Sequence, residues 1–474
     1  MSDFHYEVLT YLDASFLALE TRTSHMHVAG VALFNSAPLK GPEGGIDFDR
    51  IKAHILSKLQ YIPRYRQRLD WVPYNRHPVW VDDDQFDFEY HVRHTSLPRP
   101  GSDVQLKALA GRIVSTPLDR NKPLWELWVV EGVDEDRFAI IAKIHHCMID
   151  GLSGVDLTTI LLNVVPTTEI EAAPQWTPRP APTPSQLAVA EMAHATRRLI
   201  DRLTNLSETV RDGKDLADRT MDKSAAALSS LRSGWLTTSD RTPLNPDIGP
   251  NRRFDWTDIP LADLKQLKNK LGGSLNDVVL TIAAGAIRNF LIKERGYDVS
   301  EAAFRVMNPV STRRADQKGA LGNQVAMWLI DLPIEEPDPL ARHQLIKERT
   351  LNLKKSNQAL GAATLVEVSS GTPITLLSLA NRVVGSRMRP FNMTVTNIPG
   401  PQFPMYLLEA EMLANYPMVP LWAQHGLGIA LFSYNGRMLW GIHADYDTFP
   451  DSDVFLKAIH ASYAELRDLE VPTA

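Results

Sequence analysis

FAIIAKIHHCMIDG, residues 138–151, is the stretch on which the fold and the chemistry of this chain turn. Phe138 to Ile144 is a short, nearly continuous apolar run rich in strand formers, the pattern of a buried strand. His145 and His146 stand at its end, and Asp150 and Gly151 close the motif. Gly151 and Gly154 break the run, and apolar residues at near-helical spacing follow from Val155 to Val164. The pattern predicts strand, turn and helix, with the polar cluster on the turn. A histidine held there as neutral imidazole near pH 7 suits a general base for a hydroxyl. Gly151 allows backbone angles that a side chain resists, and an acid such as Asp150 can hold the turn together.

Each residue also has a plainer reading. Neighbouring residues on a strand point to opposite faces, so only one of the two histidines can face a substrate and the pair is ill-placed to grip one metal ion. His145 reads better as a satisfied core residue. Cys147 lacks a separate positioned base and reads as a small buried residue rather than a nucleophile.

Outward from the motif, Val28 to Phe34 reads as another buried strand and Phe48 to Leu59 as an amphipathic helix. Ala172 to Ser185 carries five prolines and cannot be a regular element. Gln186 to about Leu236 then has helical periodicity, with Leu187, Met192, Leu199, Leu203, Leu206 and Val210 on one apolar face. That face either covers the protein's own body or lies on a membrane surface. A helix over Ser274 to Ile292, strands at 304–311, 392–400, Gly426 to Tyr434 and Met438 to Ala444, and a final helix from Asp451 complete the pattern. At 474 residues the chain exceeds what one core usually supports. The expected organisation is an α/β domain over 1–165, a linker over 166–249 and a second α/β domain over 250–474.

Composition narrows the partners. Lys plus Arg number 50 and Asp plus Glu 56, a formal charge of −6, which argues against a nucleic-acid surface. The single cysteine, Cys147, rules out an intrachain disulfide and fits a reducing cytoplasm. The start MSDFHYEVLT has no basic patch before an apolar run, so no signal peptide is expected. No stretch reads as approaching the roughly 20 apolar residues that span a bilayer, so any membrane contact is expected to be peripheral.

HHCMIDG resembles the HHxxxDG motif of the CoA-dependent acyltransferase superfamily. LDASFLALE at 12–20, MHVAG at 26–30, PLDRNKPLWELWVVEG at 117–132, SLNDVVL at 274–280 and TNIPGP at 396–401 narrow the resemblance to its wax ester synthase/diacylglycerol acyltransferase family. The likeness covers nearly the whole chain, in order. It implies two chloramphenicol-acetyltransferase-like α/β domains with mixed sheets flanked by helices and an active-site tunnel at their interface. It implies transfer of a long acyl group from acyl-CoA, a co-substrate, to diacylglycerol or a fatty alcohol, with no cofactor and no metal. The place implied is cytoplasmic, at the periphery of membranes or lipid inclusions. By the same resemblance His146 is the base, His145 supports it and Asp150 orders the site. Asn276 is then either an oxyanion donor or a helix-start residue. Gly151, Asp277, Trp125 and Glu20 belong to the substrate-binding set, with Trp125 also readable as core packing. Asn397, Pro399 and Gly400 mark a crossover turn. Two alternatives remain open: a condensation-type acyltransferase with a carrier-protein donor, and a non-catalytic lipid-binding protein.

Overall fold

The computed structural model describes residues 4–42, 44–148, 160–194, 196–197, 238–311, 325–355 and 389–470. In the first half lie β1 (Glu7–Val8), α1 (Tyr11–Leu19), β2 (His27–Asn35), α2 (Phe48–Lys58), β3 (Gln67–Trp71) and β4 (Pro78–Asp82). The short α3 (Phe88–His91), β5 (Val92–Ser96), α4 (Asp103–Ser115), β6 (Trp125–Val133) and β7 (Arg137–His145) follow. The second half opens with β8 (Arg252–Pro260), α5 (Leu261–Leu271), α6 (Leu275–Arg295), β9 (Phe304–Ser311), β10 (Val325–Leu332) and α7 (Pro339–Lys355). It closes with β11 (Met393–Pro399), β12 (Tyr406–Leu407), β13 (Ala410–Met418), β14 (Leu427–Tyr434), β15 (Arg437–Asp445) and α8 (Ser452–Arg467).

Two six-stranded mixed sheets carry the molecule, ordered β12-β13-β2-β7-β6-β5 and β10-β9-β11-β14-β15-β8, beside a small sheet β1-β4-β3. β7 lies inside the first sheet, antiparallel to both β2 and β6. Its residues are buried on both faces, as its unbroken apolar run requires. In the second sheet β11 runs parallel to both β9 and β14 while the outer pairs are antiparallel. Helix α6 is held at its start by a reciprocal cap. The Ser274 amide donates to the Asp277 carboxylate at 2.7 Å and the Asp277 amide to Ser274 Oγ at 3.3 Å. It ends at Gly296 in the left-handed conformation, φ 56°.

Helix α6 corrects one expectation: by length and hydropathy it could cross a membrane, yet 72% of its most apolar stretch is buried inside the protein. It is the central core helix of the second sheet, packed with Val306, Val395 and Ile429.

The turn after β11 is a crossover in space. Beyond Pro399 and Gly400 the chain leaves the second sheet, and β12 and β13 complete the first by pairing β13 with β2. A Cβ on Gly400 would meet the Phe432 ring at 2.4 Å, and one on Gly441 of β15 would lie 1.8 Å from the Pro417 carbonyl of β13. At Gly441 the two sheets therefore meet backbone to backbone, with no room for a side chain. Helix α4 does the same, since a Cβ on Gly111 would meet the Arg252 carbonyl at 2.7 Å.

The proline-rich stretch has no regular structure until a helix begins at 184, but it is strapped to the first domain. Arg179 grips the buried Asp82 at 2.8 and 2.9 Å. Burial alone would raise the Asp82 carboxyl, but the Arg179 hydrogen bonds draw it down to about 2. Trp176 stands edge-on to Phe86 and under the Arg66 guanidinium. Leu187 is buried against Val72, Val79 and Val81, whereas Met192 is exposed. Covering the protein's own body is thus what Leu187 does; Leu199, Leu203, Leu206 and Val210 lie outside the described residues.

Gly441→Ala forces a methyl into the Pro417 carbonyl, so it is expected to cost about 3 kcal/mol or more, the upper range of overpacking. Gly296→Ala, with nothing near its missing Cβ, should cost only the left-handed penalty of about 1 kcal/mol. Urea midpoints of the two variants test this, and similar small losses would refute the tight crossing.

Candidate active site

The end of β7 sends its two histidines to different surroundings. His145 is the last residue of the strand and pairs with His27 of β2. Its Nδ1 accepts the Cys147 amide at 3.1 Å, which places the ring proton on Nε2. That nitrogen faces Glu20 Oε2 at 3.6 Å. Glu20 follows the last turn of α1. The other oxygen, Oε1, lies 3.7 Å from His27 Nε2 and 3.8 Å from His25 Nδ1, while Arg120 donates to Oε2 from Nε at 3.1 Å and from a second nitrogen. Burial works to raise the Glu20 carboxyl, but His145 and then Arg120 hold it down at about 2. His27 is pushed well below the usual imidazole range by burial, with the charge of His145 adding to it.

His146 begins a short 3-10 turn, and its amide donates to the Met26 carbonyl at 2.8 Å. Its ring stacks on Phe16 of α1 at 3.8 Å and 19°. Burial lowers the imidazole to about 4, so it is neutral throughout the physiological range. Nδ1 is enclosed and has no hydrogen-bond partner among the described residues. Nε2 makes no hydrogen bond among the described residues, and His146 keeps some exposure. A neutral imidazole with Nε2 uncommitted can take a proton from a bound hydroxyl. Cys147, wholly buried with its thiol pushed well up by burial, is not a nucleophile.

Other expected site residues fall in different places. Asp150 and Gly151 lie outside the described residues. Asn276 sits in the first turn of α6 and donates from Nδ2 to Asn308 Oδ1 at 3.2 Å, while Asn308 donates to the Val395 carbonyl. Asp277, Trp125 and Glu20 each make defined contacts within the protein. One Asp277 oxygen caps Ser274 and the other accepts Thr350 Oγ1 at 2.7 Å. Trp125 is fully buried, its indole N–H on the Tyr65 carbonyl at 2.8 Å and its ring stacked on His91, so it packs the core. Glu20 lies beneath His145, at 3.6 Å from its Nε2.

Phe16, against the His146 ring, and His25, His27 and Arg120, around Glu20, went unassigned from sequence. Phe16 and Glu20 share LDASFLALE, His27 stands in MHVAG and Arg120 in PLDRNKPLW. Their motifs were visible, but nothing in spacing tells that three distant segments converge on one carboxylate.

Comparison with known proteins agrees with this geometry. Residues 9–279 match the wax ester synthase/diacylglycerol acyltransferase catalytic domain, and residues 321–467 the corresponding C-terminal domain. A protein of Mycobacterium bovis named as a diacylglycerol O-acyltransferase is 32% identical over 97% of this chain and 95% of its own. The diacylglycerol O-acyltransferase tgs1 of Mycobacterium tuberculosis is 32% identical with the same coverage. Among solved structures, the wax ester synthase/diacylglycerol acyltransferase of Marinobacter aquaeolei has the same fold, with a TM-score of 0.66 at 24% identity over 97% of this chain and 98% of its own. The first condensation domain of the calcium-dependent antibiotic synthetase shares that fold at 13% identity and a TM-score of 0.59, over 99% of this chain and 97% of its own. With both family domains matched in order and the histidine pair at the end of its central strand, the chain belongs to the wax ester synthase/diacylglycerol acyltransferase family of acyltransferases.

Proposed function

We propose that this enzyme moves a long-chain acyl group from acyl-CoA to the hydroxyl of diacylglycerol or a fatty alcohol, with His146 as general base, in a tunnel between its two domains. The observation that carries the reading is the His146 ring itself: stacked on Phe16, neutral, with Nε2 uncommitted. In the proposed step Nε2 takes the acceptor's hydroxyl proton as the oxygen attacks the thioester carbonyl carbon. The carbonyl oxygen becomes an oxyanion, and collapse breaks the carbon–sulfur bond. The imidazolium then returns its proton to the CoA thiolate. A thioester is already activated, so neither a covalent enzyme intermediate nor a cofactor is invoked. Asn276 commits one amide N–H to Asn308 and keeps a second, and we assign it the oxyanion.

The named relatives at about 30% identity over nearly their whole length support the lipid acceptor over a carrier-protein donor. Such substrates dissolve in membranes and droplets, so the proposed place of action is the cytoplasmic periphery of membrane or lipid inclusions.

His146→Ala should lower turnover at least about a hundredfold, the minimum contribution of a positioned base, at an unchanged melting temperature. Thiol release from palmitoyl-CoA in the presence of hexadecanol or diacylglycerol measures it, and near-native rates in the folded variant would refute the mechanism.

The pH profile carries a second expectation. The base works when deprotonated, and burial puts its titration at about 4. Hence kcat/KM should hold level as pH falls through 6.5 and decline only below about pH 5. An acid limb centred near 6.5 would mean that His146 is solvated in the free enzyme.

A further inference from the structure

Strand β11 shows its two faces different kinds of partner. Met393 and Val395 pack into the core around α6. Thr394 and Thr396 alternate with them and so point to the opposite face, the one turned toward the first domain. Their lateral neighbours agree. Thr394 pairs with Met307 on one side and Gly428 on the other, and Thr396 pairs with Ala430. Phe432, two residues further along β14, packs against the first domain's core.

Both threonines are more than nine-tenths buried, at 5% and 8% exposure. Neither Oγ1 has a hydrogen-bond partner among the described residues. A buried hydroxyl left unpaired is costly, and two on one strand face call for a common cause. Among the described residues, Met307, Leu329 and Phe391 cluster on this face, with the half-buried Trp422 packed against them. Apolar walls with a few set-in polar groups are the make-up of a small-molecule channel.

The patch also connects to the base. Leu421, beside Trp422, accepts Ser24 Oγ at 2.6 Å, and two residues on, the Met26 carbonyl accepts the His146 amide at 2.8 Å. The wall of the patch and the catalytic turn therefore hang on the same short segment.

Resting on the acyltransferase reading above, we propose that this face is the acceptor channel and that the Thr394 and Thr396 hydroxyls donate to the ester carbonyls of diacylglycerol. A fatty alcohol offers only the hydroxyl that His146 must take, and has no acceptor for two further donors. The channel thus favours a glycerol ester over a simple alcohol, because specificity built on hydrogen bonds penalises the ligand that leaves donors unpaired.

The test compares Thr394→Val, Thr396→Val and their double variant with the wild type, using palmitoyl-CoA and either diacylglycerol or hexadecanol. Valine keeps the shape and removes the orphan hydroxyl, so melting temperatures should stay level or rise. Each substitution should lower kcat/KM for diacylglycerol by roughly three- to tenfold, the worth of one hydrogen bond. Hexadecanol turnover and the KM for palmitoyl-CoA should stay within about twofold of wild type, and Thr396→Ser should retain the wild-type preference. An unmoved ratio of the two acceptors, an equal loss on both, or a shift confined to palmitoyl-CoA overturns the channel while leaving acyl transfer intact. Should the wild type release no thiol with either acceptor, the acyltransferase reading fails and this inference with it.

Discussion

The Glu20 carboxylate is the knot of the first domain. It ties the end of α1, the start of β2, the loop carrying Arg120 and the end of β7 around one buried charge. A lone carboxylate at that depth would be untenable. The Arg120 guanidinium, held at the same time on the Leu17 carbonyl at 3.1 Å, makes it tolerable. Once the charge is fixed, His145 has a defined tautomer, the Cys147 amide has an acceptor, and the turn that presents His146 has one geometry. Removing any partner leaves the others buried and unpaired, which is why such a network specifies a single arrangement more than it adds net stability.

The second constraint is the approach of the two sheets. β13 belongs to the second half in sequence and to the first sheet in space, so the domains cannot part without unzipping a ladder. Around that strand the seam alternates close backbone contact at Gly441 and Gly111 with charge. Arg252 of β8 donates to the Thr23 carbonyl of the first domain and lies 3.5 Å from Asp445, and Lys107 of α4 meets Asp255 at 2.5 Å. Trp256 stacks on Tyr416 of the crossing strand. These contacts and the shared strand bind the two sheets together along the seam.

How much of this was readable beforehand follows from which forces act locally. The strand over 304–311 and the helices beginning near 274 and 452 were legible because alternation, capping residues and apolar period are local properties. The mixed α/β class was legible in the same local patterns, and the histidine pair stands at the end of the strand that its apolar run predicted. Glu20, Asp277 and Trp125 were visible as motif members, but the partners they hold were not. A carboxylate's role depends on what reaches it from across the fold, and whether a tryptophan packs or lines a cleft depends on which face is covered. The apolar content of α6 was underestimated because Asp277 and Asn276 interrupt its start, while the rest is dressed for a core. The paired hydroxyls of β11 could not be read at all, since an unpaired donor is defined only by what surrounds it.

The depressed basicity of His146 looks at first like a handicap for the base we propose it to be, and its resolution lies in where charge would appear during the proposed reaction. An imidazole at about 4 is poorly matched to a proton taken at neutral pH. Yet protonating it creates a cation just as the attacked thioester becomes an oxyanion. Two opposite unit charges about 4 Å apart attract by about 4 kcal/mol at an effective dielectric constant of about 20. At 1.36 kcal/mol per pKa unit that is about three units, lifting the imidazolium to about 7 in the transition state. The burial that keeps His146 neutral in the free enzyme is therefore the condition that makes its protonation favourable only when the oxyanion is present. The gain falls on the transition state and not on the bound substrate, where an acyltransferase can use it.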